Sequence, residues 1–324
     1  MNEFALIDRY FRRSPRGDSV RIGVGDDAAV IRPAPGMELV ISVDMLVEGR
    51  HFLRDTDPHR LGHKTLAVNL SDLAAMGATP RYALLAGALP NSEEAWLGEF
   101  AAGFFAIADR YGVELIGGDT TKGPRNLCVT IIGEVPQGTA LTRGGAKPGD
   151  DIYVSGLLGD AALALEAMQQ RTRLAPDALE VARTRLETPE PRVALGERLR
   201  DIASAALDIS DGLTGDLAHI LETSHVGAII ELASIPRSSA LDGKLAGSTE
   251  RDLALRCLLA GGDDYELCFT ANRALRDRIV DISRSLDLPL TRIGEITAAQ
   301  EFIVRDEHGT PLPALPRAFD HFAS

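Results

Sequence analysis

The chain has 324 residues, with 34 Lys and Arg against 47 Asp and Glu, a formal net charge of −13. That acid excess excludes a partner held mainly by neutralising a phosphate backbone, so neither DNA nor RNA is expected as a partner. A small phosphorylated ligand stays open, because bound metal inverts the local field. Apolar residues at 45% and charged residues at 25% give an ordinary water-exposed globular composition, and the length points to two domains.

No stretch approaches the ~18 apolar residues of a membrane span. The N-terminal MNEFALIDRYFRRS carries acids among its apolar residues, unlike a signal peptide. Cys128, Cys257 and Cys268 form no Cys-x-x-Cys pair and read as small buried thiols of a reducing compartment. The expectation is a cytoplasmic protein without membrane attachment.

In chain order, residues 3–13 read as a helix with Phe4, Ile7 and Phe11 on one face. LVISV (39–43) reads as a buried strand. Asp57-Pro58 opens a helix, acid at the cap and proline at the first position, and Gly77 closes it. A second helix is expected from Ser92 to Tyr111, with Gly112 at its end, followed by a strand at 127–135. The Gly- and Pro-rich stretch 136–151 marks a domain boundary, giving domains 1–137 and 138–324. Beyond it, IYVSG leads to a helix after Gly159, and AALDIS (205–210) to a helix from Leu213. GAIIEL, YELCFT, RIGEI and FIVRD are further strands. Alternating strands and helices give an α/β class with a two-domain, α+β-like arrangement.

The aspartates carry the chemistry. Asp26 and Asp27 follow Gly-Val-Gly; Asp44 ends the strand LVISV; Asp72 sits inside the apolar helix NLSDLAAMG. Asp119 follows Ile-Gly-Gly, Asp208 and Asp211 flank Ile-Ser at a strand end, and Asp263 and Asp264 follow Gly-Gly. Aspartate suits neither helix interiors nor strands, and burying one alone costs several kcal/mol. Any one of them could be a turn or cap residue. As a set they point to magnesium, which takes hard oxygens, keeps waters and bridges to substrate phosphates. Asp57 is only a cap. Leu70-Ser71-Asp72 before Gly117-Gly118-Asp119 is faintly echoed by Ile209-Ser210-Asp211 before Gly261-Gly262-Asp263, which chance and duplication both explain.

Other motifs lose their first meaning. Gly23-Val24-Gly25-Asp26-Asp27-Ala28 matches a dinucleotide fingerprint, but AVIRPAPG after it reads as strand and turn, not helix, and two acids would repel a pyrophosphate. No Gly-x-x-x-x-Gly-Lys-Ser/Thr loop occurs. His59 and His63 lack the glutamate of a zinc protease and are expected to face solvent. The turn Ser155-Gly-Leu-Leu-Gly159 fits either phosphate cradling or tight packing.

The ordered segments GVGDDAAV (23–30), ISVDMLVEGRHF (41–52), KTLAVNLSDLAAMGATP (64–80), ELIGGDTTKGP (114–124), LTRGGAKPGDDIYVSG (141–156), LDISDGL (207–213), GGDDYELCFT (261–270) and FDHF (319–322) resemble the thiamine-monophosphate kinase family. That family is part of the superfamily of aminoimidazole ribonucleotide synthetase. The resemblance implies an N-terminal sheet-and-helix domain for ATP, metal and dimerisation, its sheet pairing with that of a partner subunit, and a C-terminal α/β domain. It implies a homodimer that transfers phosphate from ATP to thiamine monophosphate with several magnesium ions.

The same resemblance assigns Asp27, Ser42, Val43 (through its carbonyl), Asp44, Asp72, Asp119, Asp208 and Asp211 to the metals. Gly118, Asp119, Arg143 and Ser210 are assigned to ATP, and His51 and Asp263 to the acceptor. Asp44, Asp119, Asp211 and Arg143 are the expected catalytic set. Where relatives often carry a tryptophan near the C-terminal motif, Phe319 is the candidate aromatic wall. Two other readings stay open: another ATP-dependent phosphoryl-transfer enzyme of the superfamily, or a non-catalytic magnesium–nucleotide module. The first cysteine at 128 and the ending HFAS fit neither a selenophosphate synthetase nor a hydrogenase-maturation member.

Overall fold

A computed structural model describes residues 3–14, 16–247 and 249–316. The chain forms two compact units, Met1–Leu73 with Ala78–Ala140, and Ala74–Gly77 with Leu141–Ser324. Each combines a sheet with helices, a mixed α/β architecture.

The first unit runs α1 (Glu3–Tyr10), β1 (Val20–Ile22), β2 (Val30–Ile31), β3 (Met37–Val47), α2 (Pro58–Ala75), β4 (Thr79–Leu89), α3 (Glu94–Tyr111), β5 (Glu114–Lys122) and β6 (Asn126–Pro136). β1 and β2 form a small antiparallel pair, and the main sheet has the order β3-β6-β4-β5. The helix signals act as read. The Asp57 carboxylate accepts the Arg60 amide at 3.0 Å, Pro58 starts α2, and Gly77 and Gly112 take left-handed φ values of 66° and 69° after α2 and α3. α1 is shorter than expected, ending at Tyr10. The strand after Gly-Val-Gly-Asp-Asp is β2, so no helix opens at that fingerprint.

The two long helices come together backbone to backbone at two glycines. A Cβ on Gly62 would lie 2.1 Å from the Phe100 carbonyl oxygen, and one on Gly103 1.9 Å from that of His59. Leu66, Leu70 and Leu73 of α2 and Leu97, Phe100 and Phe104 of α3 are buried.

β3 corrects one expectation. The strand is half-buried and not buried as LVISV suggests: Ile41, Val43 and, beyond that run, Met45 are 61%, 59% and 51% exposed. β3 is an edge strand, and its odd-numbered residues project from the face opposite α2, where nothing among the described residues covers them. A continuous apolar run looks the same from sequence whether its second face is covered by the same chain or not. The strand also continues past Asp44 to Val47, and Asp119 lies within β5, because pairing with β4 carries on through Ala86↔Asp119. His59 is exposed, but His63 is half-buried rather than facing solvent.

The second unit contains β7 (Asp151–Ser155), α4 (Asp160–Met168), α5 (Pro176–Glu187), α6 (Val193–Leu199), β8 (Ala203–Ile209), α7 (Leu213–Ser224), β9 (Gly227–Glu231), α8 (Ser239–Ala246), α9 (Arg251–Ala260), β10 (Glu266–Ala271), α10 (Arg276–Leu286), β11 (Leu290–Thr297) and β12 (Phe302–Arg305). Its six-stranded sheet has the order β12-β9-β11-β7-β10-β8, with one parallel pair, β12 and β9. Val154, Leu207, Ile209, Leu217, Ile230 and Cys268 form part of one continuous core between this sheet and its helices.

Candidate active site

In the first unit the expected metal residues fall into two groups. The side of β3 that carries Ser42 and Asp44 meets α2. Ser42 Oγ donates to Asp72 at 2.5 Å, and the Asp44 amide donates to the Asn69 side chain at 3.1 Å. Asn69 and Asp72 are three apart on α2 and so share a face. Asp72, placed mid-helix against its propensity, is thus held at the strand edge.

Asp27, Gly118 and Asp119 line a cavity of about 1390 Å³ with Cys128, Thr130 and Ile132 of β6. Those three β6 residues are the register partners of Met45, Val43 and Ile41, so the cavity opens on the same sheet face as the uncovered side chains of β3. Burial, with the nearby Asp44 charge, pushes the Cys128 thiol up. Gly118 has φ 151°, and a Cβ there would sit 1.9 Å from the Leu85 carbonyl oxygen, so the Gly-Gly pair before Asp119 serves close strand packing.

His51 closes a turn after β3. Its Nδ1 accepts the Val47 amide at 2.9 Å, its own amide donates to the Val47 carbonyl, and its carbonyl accepts from the buried Lys64 ammonium at 3.2 Å. With Nδ1 accepting, the proton of the neutral ring is on Nε2.

In the second unit the end of β8 and the segment before β10 come together. The Asp263 amide donates to the Ser210 carbonyl at 2.9 Å, and the Tyr265 amide to the Ile209 carbonyl at 2.8 Å. Asp208, Ser210, Asp211 and Asp263 are therefore neighbours, although Asp211 and Asp263 are far apart in sequence. Asp263 takes φ 69° and accepts from the Tyr265 hydroxyl at 3.1 Å. Asp264 points elsewhere and accepts the Gly159 amide at 2.9 Å. Burial pushes its carboxyl well above the usual range, against the pull of that amide.

This settles the glycine turn after β7 as packing. The Gly159 amide is spent on Asp264, and a Cβ on Gly156 would meet the Glu266 carboxylate at 2.0 Å. Glu266 is itself buried against Ser155 at 2.5 Å and the Arg192 guanidinium at 2.6 Å.

Arg143 is exposed in the loop that leads to β7. Its carbonyl accepts from Ser224 at the C-terminal end of α7, whereas Ser210 and Asp211 lie at the other end of that helix. The faint echo along the sequence has no structural counterpart, since Asp72 lies inside a helix and Asp211 in a strand-to-helix turn. Phe319 lies outside the described residues. Two residues had no role in the sequence reading. Asn69 gave no signal beyond its spacing from Asp72. Asp216 was visible as an acid in the first turn of α7, and it accepts the amides of Ser210, Asp211 and Gly212, each at 3.0 Å. Burial, with the charge of Asp211, pushes the Asp216 carboxyl up to about 6, against the pull of these amides.

Among the described residues no three His, Cys, Asp or Glu side chains stand close enough to hold an ion by themselves. Magnesium asks for less: one or two carboxylates, with waters and phosphate oxygens completing its shell. The adjoining hard oxygens of Ser42 and Asp72 fit that demand, and no thiolate or imidazole competes in the pair. Among the described residues no helix is long and apolar enough to cross a membrane.

Two sheet-and-helix units carry the acids, and the sequence has no P-loop; comparison with known proteins gives the class. The family profile "AIR synthase related protein, N-terminal domain" matches residues 25–135, and its C-terminal counterpart matches residues 147–307. The chain belongs to this family. Within it, the chain is 47% identical to the thiamine-monophosphate kinase of Escherichia coli strain K12, over 99% of this chain and 98% of that one. The crystal structure of thiamine-monophosphate kinase from Stenotrophomonas maltophilia K279a superimposes with a TM-score of 0.86 at 50% identity, covering 93% of this chain and 96% of that one. The structure of AaThiL complexed with AMPPCP and TMP is similar at a TM-score of 0.77 and 28% identity, covering 90% and 89%. The chain is an enzyme of the thiamine-phosphate kinase class.

Proposed function

We propose that this protein transfers the γ-phosphoryl group of ATP to thiamine monophosphate, directly and in line, giving thiamine diphosphate and ADP. The observation that carries the reading is near-complete coverage of kinases of that name at close to half identity. The AMPPCP and TMP found together in AaThiL support the pair of substrates.

The proposed ligands of several magnesium ions are Asp27, Ser42, the Val43 carbonyl, Asp44, Asp72, Asp119, Asp208 and Asp211. Gly118, Asp119, Arg143 and Ser210 bind the nucleotide; His51, Asp263 and Phe319 bind the acceptor. The chemistry that bound magnesium supplies is neutralisation of charge between two polyanions.

The protein's own groups do the remaining work. The second pKa of a phosphate monoester is about 6, so the attacking oxygen is already ionised at neutral pH and no strong general base is required. Positioning therefore dominates. His51 presents its Nε2–H to a phosphate oxygen while Val47 fixes the ring. Asp44, Asp119, Asp211 and the Arg143 guanidinium act at the transferring group. A homodimer in the cytoplasm completes the reading, supported by the apolar face of β3 and by three free cysteines. Stereochemistry tests the mechanism: a chirally labelled γ-phosphorus should be inverted, and retention would establish a phospho-enzyme instead.

A further inference from the structure

The turn between β8 and α7 is tied down on both sides by its backbone. The amides of three consecutive residues, Ser210, Asp211 and Gly212, converge on a single oxygen, Oδ2 of Asp216. The carbonyls of Ile209 and Ser210 accept the amides of Tyr265 and Asp263. Gly212 takes φ 114°, where a Cβ would lie 2.6 Å from the Ala260 backbone, so this position of the turn requires glycine. Thr214 anchors the first turn of α7 by donating to the Leu259 carbonyl at 2.8 Å.

Three convergent amides at a helix start make a nest that would attract an anion. Here a buried side chain of the same helix fills it. A phosphate therefore finds no vacancy at these amides. What the turn offers outward is the half-buried side chains of Ser210 and Asp211.

We propose that Asp216 is a positioning residue for phosphoryl transfer: by occupying the amide nest it fixes the Ser210–Gly212 turn so that Asp211 and Ser210 are presented to magnesium and the nucleotide. This rests on the reading of Asp211 and Ser210 given above. Asp216 itself touches neither the metal nor the substrates; it acts through the turn. A carboxylate suits the role because charge-assisted bonds from three amides are about twice as strong as neutral ones.

The test uses the full chain, with Asp216→Ala, Asp216→Asn and Asp211→Asn. Hydrogen exchange in metal-free protein is read over residues 207–213, and the magnesium concentration giving half-maximal turnover is read with ATP and thiamine monophosphate. Asp216→Ala should speed exchange at 210–212 by at least about tenfold. It should also raise the magnesium midpoint about tenfold, as loss of a supporting partner does, and move the KM for thiamine monophosphate less. Asp216→Asn keeps an acceptor oxygen in place but loses the charge assistance, and should leave the midpoint about two- to threefold above the parent's. Faster exchange with an unchanged midpoint in folded Asp216→Ala would reduce Asp216 to a structural residue and overturn the proposal. Should Asp216→Ala fail to fold, Asp216→Asn decides, because a midpoint identical to the parent's overturns the proposal as well. Asp211→Asn with the parent's midpoint would remove Asp211 from the machinery, overturning the reading and this proposal together.

Discussion

Ser42 on the edge strand β3 and Asp72 in the middle of α2 share a hydrogen bond of 2.5 Å, which ties the first sheet to its helix at two of the expected metal residues. An acid in the interior of an apolar helix is costly unless something else holds it. Replacing Asp72 with Asn keeps the shape and an acceptor oxygen but removes the charge. Turnover should fall by about a hundredfold or more, with an unchanged circular dichroism spectrum. Turnover near that of the parent at saturating magnesium would take Asp72 out of the metal set.

The uncovered apolar residues of β3 predict association. Ile41→Glu places a charge on the face that Val43 and Met45 share, without touching α2. Sedimentation velocity should show the parent as a dimer and the variant as a monomer. A variant that stays dimeric would move the interface elsewhere.

The α2–α3 crossing predicts a stability effect remote from chemistry. Gly103→Ala puts a methyl group into the His59 carbonyl, and the helices must separate to admit it. Unfolding in urea should show a loss of about 1–3 kcal/mol. A loss below ~0.5 kcal/mol would mean that the crossing yields at little cost.

Asp151 gives a pH-dependent prediction. It is buried at the start of β7, and although burial alone would raise its carboxyl, the Arg276 guanidinium at 2.6 Å and the Arg292 guanidinium at 2.7 Å hold it below the ordinary value of 3.8. A depressed folded pKa stabilises above the unfolded pKa and is lost as pH falls through the folded one. Asp151→Asn should therefore be less stable than the parent at pH 7, by about 1–3 kcal/mol. The gap should close below pH 3.8, as the parent's own carboxyl takes up its proton. A gap of constant size from pH 7 to pH 3 would show that charge is not its source.

Much of this architecture was readable in the sequence because local signals agreed with the fold. Asp57-Pro58 and Gly77 bounded α2 correctly, as did Gly112 for the end of α3, since caps are settled by neighbouring backbone alone. β4 is not legible as a strand in the sequence: TPRYALLAGAL has Pro and Arg near its start and is rich in Ala and Gly, and pairing with β5 and β6 makes it extended. The exposed face of β3 was equally hidden, since exposure depends on what packs there. The acids were found through their improbable settings, Asp72 above all. Asp216 was not, because an acid in the first turn of a helix is ordinary there, and its three amide donors come from a turn whose shape the sequence does not state.

One assay bears most directly on the function. The full chain is mixed with ATP, thiamine monophosphate and magnesium, and both products are quantified. Thiamine diphosphate should appear one-for-one with ADP, with none formed when magnesium is chelated or when thiamine replaces its monophosphate. ATP bound without turnover, or ADP released with no thiamine diphosphate, would contradict the account.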